Sequence, residues 1–210
     1  MKYNPDKHHR RSIRLKGYDY ASPGSYFVTI CVQNHECILG EVVDGEMRLN
    51  TYGRIVDEFW RQVPTHFTNV TVDARITMPN HIHAIITIHD PRRGAVSAPD
   101  AVSAPDVPVT TNTDVLREGG ETPPLQTPGS AVARPTLGQI VGYYKYQSTK
   151  IVNQMCDTSG TRFWQRNYWE HIIRNENAFQ HIYQYVQDNP ALWEKDQLHP
   201  DAPPNPFNQG

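Results

Sequence analysis

The run "TMPNHIHAIITI", Thr77 to Ile88, places two histidines one residue apart inside an apolar, β-branched stretch. On a strand, side chains alternate faces, so His81 and His83 share one face while Ile82 and Ala84 point to the other. Two adjacent imidazoles can grip one metal ion, and a hydrolytic or phosphoryl-transfer site then needs a third protein ligand and open positions for substrate oxygens. Near the other end of the chain Tyr185 and Asn189 are four residues apart, one turn on the same helix face, with Gln184 and Gln187 off it. A phenol beside a phosphate can attack phosphorus and split one displacement into two. Against this, Tyr185 is one of 11 tyrosines, and an aromatic on an amphipathic helix is usually core. Tyr183 is its nearest rival, but a two-residue shift turns it about 200° away from Asn189.

The chain must bring those two segments together. Its 210 residues carry a net charge of -2, which excludes a uniformly cationic nucleic-acid binder and leaves local patches to do that work. One such patch is "KHHRRSIRLKGY", where Lys7, Arg10, Arg11, Arg14 and Lys16 crowd a basic N-terminal arm, residues 1–17. The three cysteines, Cys31, Cys37 and Cys156, suit neither a zinc knuckle nor a self-contained disulfide framework, and reduced thiols in a cytoplasmic protein are expected. No stretch approaches the roughly 20 apolar residues of a membrane helix, and no signal-peptide core follows the charged N-terminus.

Residues 95–129 include a tandem AVSAPD repeat and are dense in Pro, Thr, Gly and Asp. Such a segment reads as a disordered insertion in a surface loop, interrupting one catalytic domain over residues 18–199; residues 200–210 form a Pro-rich tail. "SYFVTICVQN" is a strand, and "CILGEVVDGEMRLN" a hairpin turning at Asp44-Gly45. "TYGRIVDEFWRQV" is a helix capped by Thr51, and two more strands meet near Pro79 and Asn80. After the insertion, Pro135 and Thr136 open a second helix. "RFWQRNYWEHIIR" is extended, and a last helix is capped by Asn175 and stopped by Pro190, whose presence biases Asn189 out of the α-region. The order describes an α+β protein, an antiparallel sheet with helices on one side.

In "RFWQRNYWEHIIR", Trp164, Tyr168 and Trp169 are candidates to stack on unpaired bases and Arg166 to touch a phosphate, with core packing an equal alternative for the tryptophans. Lys145 and Lys150 are further phosphate candidates. Glu170 and His171 are candidates to orient metal-bound histidines from behind.

"MPNHIHAIITI", "FWQRNYWEHIIRNE" and "YVQDNP", in that order, resemble the IS200-like Y1 tyrosine transposases, above all their REP-associated branch. The resemblance spans nearly the whole chain except residues 95–129 and the extreme termini. It implies a single ferredoxin-like domain whose central strand carries His81-Ile82-His83, and a nucleophilic Tyr185 on a helix whose Asn189 completes a Mg²⁺ or Mn²⁺ site with the histidines. It also implies cleavage and rejoining of single-stranded or hairpin DNA through a 5′-phosphotyrosine, by a monomer or homodimer. The same parts fit a rolling-circle replication or relaxase-like nickase, or a catalytically idle hairpin-binding regulator.

Overall fold

The computed structural model describes residues 14–90 and 134–203. The expected insertion 95–129, Arg10 and Arg11 of the basic arm, and most of the 200–210 tail lie outside the described residues. Alternating apolar positions build four strands of one antiparallel sheet: β1 (Gly24–Cys31), β4 (Val70–Thr77), β5 (His81–Ile88) and β6 (Trp169–Ile173), in the order β4-β5-β1-β6. Because β5 lies between β1 and β4, these strands and α1 (Thr51–His66) and α2 (Leu137–Cys156) form the split βαβ arrangement of a ferredoxin-like sheet. The expected α+β antiparallel class is the one found.

A two-stranded hairpin, β2 (Gly40–Val43) and β3 (Glu46–Leu49), stands apart. It turns where the sequence indicates, with Asp44 and Gly45 at φ 53° and 76°, the positive angles that such a tight turn requires. The cap of α1 is one residue earlier than expected: the side chain of Asn50, rather than Thr51, accepts the Gly53 N–H at 3.0 Å. Thr136 opens α2 as the sequence indicates, and with Gln139 it closes a reciprocal capping box.

Strand alternation divides the core. On one face Val28, Ile30, Ile82, Ala84 and Ile86 pack under α1 and α2, where Trp60 stacks on Tyr144 with ring centroids 4.0 Å apart and the Tyr144 hydroxyl donates to the Val56 carbonyl at 3.0 Å. On the other face Ile85 and Ala74 pack with Val186, Ile182 and Phe179 of the last helix, α3 (Glu176–Asp188). Placement on one side therefore holds for α1 and α2, whereas α3 covers the opposite face. The reason lies in β5, buried from His81 to Ile86 on both faces, so each side of it needs a covering element.

α1 approaches the chain at Leu39 so closely that a Cβ on Gly53 would collide with the Leu39 carbonyl. Gly53→Ala is expected to lower the urea-unfolding free energy by about 1–3 kcal/mol, the usual cost of overpacking; an unchanged midpoint would show that α1 can move aside.

Candidate active site

β5 starts at a tight turn in which the Met78 N–H donates to the His81 carbonyl at 2.8 Å. Its first residues project His81 and His83 onto the face under α3, both buried. Their Nε2 atoms face each other at 3.1 Å. Behind them the Nδ1 atoms are held separately: His81 Nδ1 lies 2.9 Å from Asn80 Oδ1, and His83 Nδ1 lies 2.9 Å from Thr29 Oγ1. The Asn80 amide donates to the His35 carbonyl at 3.2 Å and the Leu198 carbonyl at 2.7 Å, which fixes its oxygen toward the imidazole. His81 thus carries its hydrogen on Nδ1 and presents a bare lone pair at Nε2.

α3 brings the nucleophile candidate to this pair. Asn175 caps it by accepting the Ala178 N–H, and Phe179, Ile182 and Val186 seat it on the sheet. Tyr185 Oη reaches 3.3 Å from His83 Nε2, and its ring lies edge-on to Phe27. Tyr183 stacks instead on Phe179, as the helical offset requires. Asn189 is buried with its Oδ1 lacking any partner among the described residues. Contrary to the bias of a residue before proline, Asn189 stays α-helical at φ -54°, ψ -42°. A 3-10 helix, Pro190–Lys195, follows directly, and the Leu192 N–H donates to the Asn189 carbonyl.

That 3-10 helix returns Asp196 to the site, a residue that the spacing of motifs does not expose. Its Oδ2 lies 4.0 Å from His81 Nε2 and 3.4 Å from Asn189 Nδ2, while Oδ1 accepts the Leu198 N–H. His81, His83 and Asp196 offer ligand atoms all within 4.8 Å of one another, a group able to hold a metal ion. The only signal for Asp196 in the sequence is its place shortly after the helix-stopping Pro190.

Burial sets the protonation states. It depresses the His81 pKa to about 3, with His35 contributing in the same direction, and holds His83 well below its ordinary value, the neighbouring His81 adding to this and Asp196 opposing it. Both imidazoles are neutral and able to ligate. Burial also raises the Tyr185 pKa, Asp196 raises it further, and a hydrogen bond from Asn189 works the other way.

The remaining sequence candidates divide. Trp164 is buried, its indole N–H donating to Ser148 Oγ at 2.9 Å; it closes the core and offers no ring to a base. Glu170 pairs in register with Val28 and therefore points to the α1/α2 face, where Arg14 Nε lies 3.7 Å from its carboxylate. It stands on the wrong side of the sheet to support the histidines, and Asn80 and Thr29 fill that role. His171 is on the correct face but opposite Phe27, whose ring lies between it and His83. Arg14 donates to the Tyr168 hydroxyl at 2.9 Å and covers the rings of Tyr20 and Tyr168; Lys16 is exposed. Lys145 Nζ donates to the carbonyls of Gln165, Arg166 and Asn167, and burial lowers its pKa to about 8. It ties the extended segment to α2. Lys150 and Arg166, with Arg162, line an open groove beside α2.

No family model matches the chain. An uncharacterised protein of Haemophilus influenzae is 40% identical over 200 residues, covering 95% of this chain and 98% of its own. The chain belongs to one family with that protein. Among solved structures, a REP-associated tyrosine transposase bound to a REP hairpin is similar with a TM-score of 0.48 and 16% identity, over 90% of this chain and 77% of that one. A Deinococcus radiodurans chain assigned as a transposase gives a TM-score of 0.39 at 11% identity, over 84% of this chain and 97% of that one. No helix among the described residues is long and apolar enough to cross a membrane.

Neutral buried histidines predict an acid-sensitive fold in the metal-free protein. The unfolded chain binds protons near pH 6.5 whereas folded His81 waits until about pH 3. Their contribution to stability is therefore complete above pH 6.5 and is lost as pH falls toward 3. Urea midpoints measured in chelator from pH 8 to pH 5 should fall below pH 6.5, and the slope should flatten in a His81→Gln/His83→Gln double variant.

Proposed function

We propose that this chain is a metal-dependent tyrosine transposase that cleaves and rejoins single-stranded DNA, acting on palindromic hairpins. The observation that carries the reading is the convergence of Tyr185 Oη on His83 Nε2 at 3.3 Å, inside a cluster that can hold an ion. The three ordered motifs that resemble Y1 transposases, two of which contain these residues, support it.

The donor set can hold a divalent cation; the resemblance implies Mg²⁺ or Mn²⁺, and the two imidazoles suit Mn²⁺ better than the oxygen-preferring Mg²⁺. Two imidazole nitrogens and a carboxylate lie within 4.8 Å of one another; the neighbouring Asn189, its amide nitrogen 3.4 Å from Asp196, carries a buried amide oxygen without a partner among the described residues, which is costly unless something binds it. His81, His83 and Asp196 would hold the ion, with Asn189 adjacent. When bound, it supplies positive charge for the scissile phosphate and the departing oxygen.

The chain's own residues do the rest. Phe27 and the seating of α3 hold the Tyr185 ring against the histidines. The Asn189 hydrogen bond favours a developing phenolate. The bond from Tyr185 Oη to phosphorus forms as the phosphorus–O3′ bond breaks, and the phenol proton is matched by one taken up at the new 3′-hydroxyl. Attack by another 3′-hydroxyl on the phosphotyrosine runs the step in reverse and joins a new strand, so the phosphodiester energy is conserved.

The test uses purified protein and a labelled hairpin from palindromes flanking its gene, with and without Mg²⁺ or Mn²⁺. A denaturation-resistant, metal-dependent protein–DNA adduct is expected in wild type. It should be absent in Tyr185→Phe, and at least about 100-fold slower in His81→Ala. An adduct that survives Tyr185→Phe overturns the assignment of the nucleophile; hairpin binding without any adduct favours the idle regulator.

A further inference from the structure

Of the chain's four tryptophans, Trp60, Trp164 and Trp193 are buried, whereas Trp169 is 51% exposed. It begins β6, the edge strand of the sheet, and pairs in register with Thr29. Alternation puts Trp169, His171 and Ile173 on the face that carries His81 and His83. Thr29 is itself the residue that hydrogen-bonds His83 Nδ1. Two strand spacings thus separate Trp169 from His83, roughly 10 Å. α3 packs over β4, β5 and the Ile173 end of β6, leaving the Trp169 end open to solvent.

The chemistry around this ring favours one ligand. No carboxylate stands on this face of β6, because Glu170 points to the other face and pairs with Arg14. Arg166, three residues before Trp169, is exposed, and a flat, exposed indole is a surface on which an unpaired base stacks.

We propose that Trp169 is the platform on which an unpaired nucleobase next to the scissile phosphate stacks, setting which phosphate reaches Tyr185. This rests on the function proposed above. Trp169 touches the substrate without entering the bond-making step, so its loss weakens binding and misplaces the cut while leaving the nucleophile intact.

The experiment uses full-length Tyr185→Phe protein, which binds without cleaving, and a hairpin with a single-stranded flank. Acrylamide quenching of tryptophan emission reads Trp169 selectively, since the other three indoles are buried; bound oligonucleotide should protect it. Trp169→Ala should raise Kd about 5- to 100-fold, the range of base–aromatic stacking, and Trp169→Phe should restore most of the affinity. An abasic site at the flanking position should produce the same loss, and the two losses should not add. Unchanged Kd in Trp169→Ala, additive losses, or quenching unaffected by DNA overturns the platform. Protection that rises with protein concentration alone also overturns it and assigns the ring to a contact between copies. The wild-type adduct assay separates the failures: an adduct with any of these results removes the platform only, whereas no adduct and no binding removes the function and the platform together.

Discussion

The site depends on one constraint: two imidazoles are placed where water cannot reach them. A buried ring must have a partner for each nitrogen or lose the equivalent of a hydrogen bond. At Nδ1 those partners come from strand and turn, Thr29 and Asn80. At Nε2 the rings have, among the described residues, only each other, Tyr185 and the more distant Asp196. The face that excludes water from the histidines is the face that α3 must cover, so the helix that completes the fold also delivers the phenol.

Asn80 extends this coupling to segments far apart in sequence. Its single carboxamide fixes His81, the 3-10 turn Gln33–His35 through the His35 carbonyl, and the C-terminal loop through the Leu198 carbonyl. Asn34 and His35 in that turn hold left-handed φ values of 57° and 55°, a conformation that non-glycine residues adopt at some cost. That cost is offset by contacts such as the Asn80 bond, and the turn in turn presents its carbonyl at the right place.

Local signals were the legible part of the molecule. Asp44-Gly45, Thr136 and Asn175 act through their own turn or helix end, and each appears where its chemistry demands. The alternation around His81 and His83 also transfers directly from spacing to geometry. What was not legible needed tertiary information. Asn50 and Thr51 are both good caps, and only the reach to Gly53 selects between them. Trp164 and Trp169 look alike in a segment without clear periodicity, yet a bridge between Val32 and Trp164 sends one inward while the pairing with Thr29 leaves the other on the edge. The apolar run of β5 announces two covered faces without naming the helix that covers the second. Asp196 is reached only because the chain turns back after Pro190, a path written in no period.

β5 enters the sheet at His81 and leaves it at Ile88, where it pairs with Gly24 and Val70. Asp90 thus lies beyond the end of the strand remote from His81, roughly 23 Å along it at strand rise. Asp90 and Arg134 are themselves joined by a 3.1 Å ion pair, so the departing and returning ends are clasped at a neck. Closure entropy grows only logarithmically with the length beyond such a neck. A change of length between those two residues therefore adds little closure entropy to the fold that they clasp. The ion pair thus works as a clasp that separates the length of the intervening chain from the geometry of the sheet.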